Sequence, residues 1–335
     1  MPHFDLPLAE LERYHPDVEE PVDFDAFWER TLAEVRRHDL ALRLRPVDAA
    51  LARLEVHDVT FAGFGGHPIK AWYVRPARVQ ARLPVVSFAG YSAGRGKPWD
   101  HTLFPAAGYG VLRVDARGQG WTAPEPGDTG DPVGHGPAQP GFLTRGLEDP
   151  EGYYYRRLYT DAARAVDAAR ALPGADPEKV VVAGTSQGGG TAIAAAALVP
   201  DVAGMMADAP FMQHVRHSVE LVDTLPYGEL AAPSRDAPRR RRADLAHDLL
   251  RRRRHLGGAR ASTVVVVRRA HGHLLPAVQR LRLLQPLPRA QADARVRLQP
   301  ARRQRRHAPA RPAAGVAESP ARLSVRPRAS SASSR

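Results

Sequence analysis

Cysteine is absent from this 335-residue chain. The protein can therefore form no disulfide, no zinc–thiolate site and no catalytic thiol. Long apolar runs are missing as well: the longest, Ala192–Val199, is far shorter than the roughly 20 residues that a transmembrane helix needs. The amino-terminal residues show no basic start followed by an apolar segment, so we expect no secretory signal. We also expect a cytoplasmic protein with no membrane partner.

The last third of the chain lacks several residue types that are common in protein cores. Residues 228–335 contain no aromatic residue, methionine, isoleucine or lysine. They hold 26 arginines against 6 acidic residues, whereas residues 1–227 hold 22 basic and 30 acidic residues, so the pI of about 10.6 arises from the tail alone. We predict a folded domain at residues 1–229 and an arginine-rich tail at 230–335 that is not native-like in fold and is disordered from Gln285 on.

Before the tail, strand and helix patterns alternate, which is typical of a mostly parallel sheet with helices on both faces. Residues 1–50 carry apolar side chains at helical spacing: Phe24, Phe27, Trp28, Leu32 and Val35. Residues 54–75 indicate a hairpin with a glycine-rich turn at 63–66. Further strands are predicted at 83–90, 108–118, 179–184 and 202–210, and further helices at 157–172 and from residue 188 to 198.

The sequence VVVAGTSQGGG, residues 180–190, combines a buried strand pattern, a glycine–serine turn and the start of a helix of small residues. Gly184 and Gly188 would let the strand and the helix pass closely, with Ser186 between them in strained backbone geometry. The amino end of the helix would direct free N–H groups towards an oxyanion formed beside the serine. We therefore predict that Ser186 is a nucleophile rather than a capping serine.

Other candidate sites before the tail are weaker. The loop Gly90–Lys97 is similar to a phosphate-binding loop, but its glycine spacing is one residue too long, and Pro98 stands where a magnesium-binding serine or threonine is needed. It is better interpreted as a tight turn that suits an oxyanion donor. His135 is interpreted as a solvated or packing histidine, and Asp208 as a capping or loop carboxylate rather than an acid. We expect no metal site, because no cluster before the tail has metal-ligand spacing.

At these motifs the sequence resembles the acetyl xylan esterase and cephalosporin C deacetylase family of α/β-hydrolases, which are carbohydrate esterases. The similar stretches occur in family order between residue 3 and about residue 229: FDAFW (24–28), GYSAGRG (90–96), DARGQG (115–120), PGFLTRGLEDPEGYYYRRLYTDAARAVD (140–167), GTSQGG (184–189) and DAPF (208–211). The combination of Arg-Gly-Gln-Gly with Gly-x-Ser-Gln-Gly is specific to this family.

The resemblance implies an α/β-hydrolase fold and deacetylation of acetylated xylo-oligosaccharides, cephalosporin C or similar small acetyl esters, without a metal or organic cofactor. It implies that Ser186 is the nucleophile and that the backbone N–H groups of Tyr91 and Gln187 form the oxyanion hole. Family members commonly assemble as hexamers, so we expect a homo-oligomer. Structural support near the site is expected from a matching family motif: Arg117, Gly118 and Gln119.

The catalytic acid and base that the resemblance implies are not identifiable in this chain. The family has its acid in a Met-Asp-x-x-Cys-Pro-Pro stretch and its base in a His-Glu-Gly stretch, and neither occurs after residue 229. Codons can be chosen for His271–Arg280 that, read one base later, encode Met-Asp-Thr-Cys-Cys-Pro-Pro-Ser-Ser-Val. The same shift over Leu298–Gln304 gives Phe-Asn-Gln-His-Glu-Gly. We hypothesise that the tail is an out-of-frame translation of the missing acid and base, which would cripple this chain.

Two other interpretations of the tail remain open. In the first, tail residues complete a working hydrolase: His271 or His273 serves as the base, and Asp248 or Asp293 is the acid that orients this histidine. In the second, arginine runs at 239–242 and 251–254 bind nucleic acid or another polyanion. Nucleic acid is the less favoured partner, because the tail lacks interleaved aromatic residues and any recognisable binding module. By composition alone, residues 262–267 could pair as a strand and residues 243–256 could form a helix.

Overall fold

The computed structural model describes residues 10, 13–14, 21–78, 84–122, 124–134, 139–199 and 201–231, together with the backbone of 263–267. The strands among them are β1 Arg43–Val47, β2 Leu54–Ala62, β3 Pro68–Pro76, β4 Pro84–Phe88, β5 Gly110–Val114, β6 Val181–Thr185, β7 Gly204–Asp208 and β8 Thr263–Val267. The helices among them are α1 Phe24–Arg36, α2 Leu103–Ala106, α3 Tyr154–Arg170, α4 Gln187–Leu198, α5 Val215–Leu221 and α6 Gly228–Ala231.

All of these residues belong to the first of two compact units, Met1–Gln291, and the second, Ala292–Arg335, lies outside the described residues. The predicted domain boundary between residues 229 and 230 therefore stays a prediction. The predicted tail helix at 243–256 and the predicted disorder from Gln285 on also lie outside the described residues.

The eight strands form one sheet in the order β1-β2-β3-β5-β4-β6-β7-β8. Strands β1, β2, β3 and β5 pair antiparallel in that order. Strands β5, β4, β6, β7 and β8 are all parallel to one another. Parallel strands end at the same edge of a sheet. Because β4, β6 and β7 are adjacent, the loops that follow Phe88, Thr185 and Asp208 meet there.

Alternation along the strands divides the apolar side chains between two faces of the sheet. The larger cluster contains residues from one face: Val59, Tyr73 and Leu112. The smaller cluster contains residues from the other face: Val56, Val74 and Val111. Helices α3 and α4 pack on the first face and against each other, and Phe104 of α2 packs on the second. The expected mostly parallel sheet with helices on both faces is confirmed.

Most elements match the sequence-based expectations, and the differences have local causes. The hairpin with its glycine turn is confirmed, and the stretch predicted at 262–267 does pair as a strand, parallel to β7. Helix α3 begins at Tyr154 rather than at residue 157, because its tyrosine and arginine first turn is buried and does not look amphipathic. Strand β1 was not predicted: its sequence RLRPV contains a proline and shows no regular alternation of buried and exposed residues.

Candidate active site

Ser186 lies at the turn between β6 and α4, in the strained geometry that its motif predicts. Its backbone has φ 57° and ψ −119°, a region that residues with a side chain rarely adopt. A Cβ atom at Gly184 would lie 2.2 Å from the carbonyl carbon of Gly188, and one at Gly188 would lie 2.3 Å from the carbonyl oxygen of Phe88. Only glycine fits at both positions, so the strand and the helix approach closely enough to force the sharp turn.

Backbone hydrogen bonds hold Ser186 on both sides. Its N–H donates to the carbonyl oxygen of Asp208 at 3.0 Å, and its own carbonyl oxygen accepts from the N–H of Phe211 at 2.9 Å. The loop after β7 therefore supports the serine turn directly. The Ser186 side chain is half-buried, and within the described residues its Oγ has no hydrogen-bond partner.

The predicted oxyanion donors, Tyr91 and Gln187, lie on the loop after β4 and at the first position of α4. Within the described residues, the backbone N–H of neither residue has a hydrogen-bond partner. Side-chain amides hold the turn on both sides of Tyr91. Gln187 Nε2 donates to the carbonyl oxygen of Gly90 at 3.2 Å, and Gln119 Oε1 accepts from the N–H of Ser92 at 2.8 Å.

Two tyrosines complete this amide arrangement. Gln119 Nε2 donates to Gln187 Oε1 at 3.1 Å and to Tyr154 Oη at 2.8 Å, and Tyr155 Oη donates to Gln187 Oε1 at 3.0 Å. Burial raises the pKa of both tyrosines well above the usual value, so that their hydroxyls remain donors. Sequence reasoning used the Tyr-Tyr-Tyr run as a family marker and missed this role, because no spacing rule links α3 to the serine turn.

Arg117 does not reach the serine but lies below the Gln119 turn, where it is fully buried. Its Nη2 donates to Asp161 Oδ1 at 2.7 Å, and its carbonyl oxygen accepts from Tyr154 Oη at 2.7 Å. Burial lowers the pKa of this guanidinium, but Asp161, Asp131 and Tyr154 together raise it by more, so the net pKa is above its usual value and the side chain stays charged. Gly118, at φ 66°, turns the chain so that its N–H reaches Thr129.

No acidic or histidine side chain forms a hydrogen bond with Ser186 in the described part of the chain. Asp208 ends β7, and its Oδ2 accepts from Thr185 Oγ1 at 3.4 Å, one residue before the serine. Among the described histidines, His101 is one whose imidazole is used elsewhere: its Nε2 bonds the carbonyl oxygen of Arg95 at 2.6 Å. The other candidates lie outside the described residues: His135, Asp248, His271, His273 and Asp293.

A cavity of about 470 Å³ opens beside the turn that carries Gln119. The segments Gly118–Trp121 and Gly127–Asp131 line it, together with Arg145. Trp121 stacks on Phe142 with ring centroids 5.8 Å apart, which gives the cavity one aromatic wall. Within the described ranges no group of three or more histidine, aspartate or glutamate residues could hold a metal ion.

Comparison with known proteins agrees with this geometry. A sequence model of the acetyl xylan esterase family (AXE1) matches residues 1–249. The chain belongs to the acetyl xylan esterase family. This match confirms the family resemblance that its motifs carry. No helix in the part of the chain that the structure describes is long and apolar enough to cross a membrane.

Individual relatives agree on the family and the fold. The acetyl esterase Axe7A of Xylanibacter ruminicola is 28% identical over 205 residues, which are 59% of this chain but only 46% of that protein. The chain thus spans less than half the length of this curated relative. An acetyl xylan esterase from Paenibacillus sp. R4 is 32% identical, with a TM-score of 0.65 over 73% of this chain and 78% of its own.

A second solved structure, acetyl xylan esterase 1 from Thermoanaerobacterium sp. JW/SL YS485, is 28% identical, with a TM-score of 0.68. The match covers 78% of this chain and 83% of that one. These two structures confirm the α/β-hydrolase fold that the motifs imply.

Proposed function

We propose that this protein is built as a serine acetyl esterase that works through an acetyl-enzyme. The observation that carries the proposal is the strained backbone of Ser186, between strand β6 and helix α4. The adjacent N–H groups of Tyr91 and Gln187, which lack partners among the described residues, support it. A nucleophile beside two unused N–H donors is the arrangement that acyl transfer requires.

The proposed reaction has two halves. Ser186 Oγ attacks the acetyl carbonyl carbon while a base takes the hydroxyl proton, and the N–H groups of Tyr91 and Gln187 hold the negative carbonyl oxygen. The alcohol leaves with that proton, and an acetyl ester of Ser186 remains. Water then attacks this ester with the same base and releases acetate. One oxyanion donor lowers the barrier by about 3 to 4 kcal/mol.

We further propose that the present chain has lost the acid and the base. No histidine within the described ranges contacts Ser186, and the sequence after residue 229 lacks both family stretches. The one-base shift that restores a Met-Asp and a His-Glu-Gly stretch supports a frameshift as the cause. Sequencing the coding DNA over codons 225–310 tests it directly, because a missing or extra base would restore both residues to the real protein.

For substrates we propose acetylated xylo-oligosaccharides, cephalosporin C or similar small acetyl esters, without a cofactor. The names of the relatives, an acetyl esterase and acetyl xylan esterases, support the acetyl group as the part that is removed. A cytoplasmic homo-oligomer, hexameric as is common in the family, is part of the same proposal. Size-exclusion chromatography with light scattering measures the assembly.

The serine mechanism is tested by hydrolysis of 4-nitrophenyl acetate in the frame-restored protein, which serves here as wild type because the present chain lacks the proposed acid and base. Ser186→Ala should abolish the protein-dependent rate, because it removes the nucleophile. Ser87→Ala is the matched control: Ser87 lies on β4, where it accepts a hydrogen bond from Arg113 at 3.2 Å, and the rate should stay near wild type. Equal rates in wild type and Ser186→Ala would exclude Ser186 as the nucleophile.

A further inference from the structure

Glu229 is a largely buried carboxylate whose two oxygens are both used inside the protein. It lies on the short helix α6, Gly228–Ala231. Its Oε1 accepts from Tyr91 Oη in a short hydrogen bond, and its Oε2 accepts from the N–H of Leu143 at 2.8 Å. Neither oxygen contacts Ser186, so Glu229 is not arranged as a general base.

The hydroxyl of Tyr91 is held from three directions. It donates to Glu229 and accepts from the backbone N–H groups of Gly141 and Phe142, at 3.2 and 3.4 Å. Burial raises the pKa of Tyr91, and the Glu229 carboxylate raises it further, so the hydroxyl keeps its proton for this bond. A buried hydroxyl with one donated and two accepted hydrogen bonds has little freedom to move.

The ring of Tyr91 links its fixed hydroxyl to the serine turn through packing contacts. It packs edge-on against Trp121, Phe142 and Phe211, with ring centroids 6.2, 6.0 and 6.5 Å away. Phe211 also donates its N–H to the carbonyl oxygen of Ser186. The side chain that Glu229 holds therefore belongs to the residue whose backbone N–H is the proposed oxyanion donor, and it packs on Phe211, which supports Ser186.

We propose that Glu229 is a positioning residue for the oxyanion hole, acting through the hydroxyl of Tyr91. The inference rests on the proposed function, because it assigns Tyr91 a donor role. Glu229 touches neither substrate nor nucleophile. It fixes the Tyr91 side chain, and a fixed side chain limits how far the backbone N–H can turn away from the developing negative charge. Displacement of a catalytic group by about 1 Å can cost about a hundredfold in rate.

The test uses three variants of the full chain: Glu229→Gln, Tyr91→Phe and the double variant. Hydrogen exchange followed by mass spectrometry reports the amides of residues 89–95, and hydrolysis of 4-nitrophenyl acetate reports kcat and KM. We expect each single variant to speed exchange in that peptide about tenfold and to lower kcat about tenfold with KM unchanged. The double variant should be no worse than Tyr91→Phe, because Glu229→Gln weakens the hydrogen bond that Tyr91→Phe removes.

Glu220→Gln is the matched control, because Glu220 is an exposed glutamate on α5 and should change neither readout. Wild-type exchange at residues 89–95 in Glu229→Gln would overturn the inference. If Glu229→Gln does not fold, Tyr91→Phe decides in its place, since it deletes only the hydroxyl. A frame-restored protein without Ser186-dependent hydrolysis would contradict the proposed function, and the exchange result would still decide whether Glu229 holds the turn.

Discussion

Residues 1–227 carry all 22 aromatic side chains of the protein, whereas residues 228–335 carry none. In the first region aromatic residues form hydrogen bonds as well as packing contacts. Tyr154 Oη accepts from Gln119, and Tyr155 Oη donates to Gln187, beside the turn that carries Tyr91. All basic residues of the second region are arginines. Its net charge is +20, whereas the first region has a net charge of −8. The difference teaches that the serine turn and the N–H groups beside it lie in the first region, whereas the acid and the base that we propose for it would have to come from the second.

The largest expected effect comes from restoring the proposed reading frame in the second region. Adding back the Met-Asp and His-Glu-Gly stretches should raise kcat for 4-nitrophenyl acetate by about a thousandfold or more, since loss of triad members costs at least that much in serine hydrolases. Steady-state kinetics of both proteins measure the ratio. A frame-restored protein that is no faster than the present chain would contradict the frameshift hypothesis.

The next effect tests the close packing of the first region. Gly188→Ala places a methyl group 2.3 Å from the carbonyl oxygen of Phe88, so the serine turn must move. We expect loss of Ser186-dependent hydrolysis and destabilisation by about 1 to 3 kcal/mol. Urea unfolding and the hydrolysis rate are the measurements. Gly130→Ala is the control, because nothing lies within 4 Å of its added Cβ atom, and it should leave both nearly unchanged.

A smaller effect is expected when one buried amide is removed. Gln119→Leu leaves the N–H of Ser92 and the hydroxyl of Tyr154 without this partner, at a cost of about 1 to 3 kcal/mol in the free energy of unfolding. The hydrolysis rate should fall about tenfold or more, because the turn that carries Tyr91 loses one of its two supports. Gln139→Leu is the control, because Gln139 is an exposed glutamine in the described part of the chain, and it should change neither stability nor rate. An unchanged rate in Gln119→Leu would show that the turn is held without it.

The smallest effect concerns His101, which packs at the edge of the first region. Burial, and then the charge of Arg113, lower the pKa of its imidazole from 6.5 to about 4. The unfolded chain therefore binds a proton near pH 6.5 that the folded chain does not, and stability falls as the pH decreases from 6.5 to about 4. In His101→Gln this loss should be smaller by about 1 to 2 kcal/mol. Urea unfolding at pH 7 and pH 4.5 measures it, with the exposed His38→Gln as control.

Local signals in the sequence predicted much of the fold and the centre of the site. Alternating residues and a glycine turn were enough for the β2–β3 hairpin, and the spacing of Gly184, Ser186 and Gly188 was enough for the strained turn. These features depend on neighbours within a few residues, so a pattern can report them. Strand β1 escaped prediction because an edge strand with a proline lacks that regular pattern.

By itself, the sequence determined the nucleophile motif, the family and the break in composition after Tyr227, because each is written in consecutive residues. Only the tertiary structure decided that the side chains of Gln119 and Gln187 are hydrogen-bonded beside the turn that carries Tyr91, and that Glu229 accepts a hydrogen bond from Tyr91. Those contacts join residues 68 and 138 positions apart. The order of parallel strands brings the ends of β4, β6 and β7 together, and burial then favours hydrogen bonds between polar side chains that are distant in the sequence.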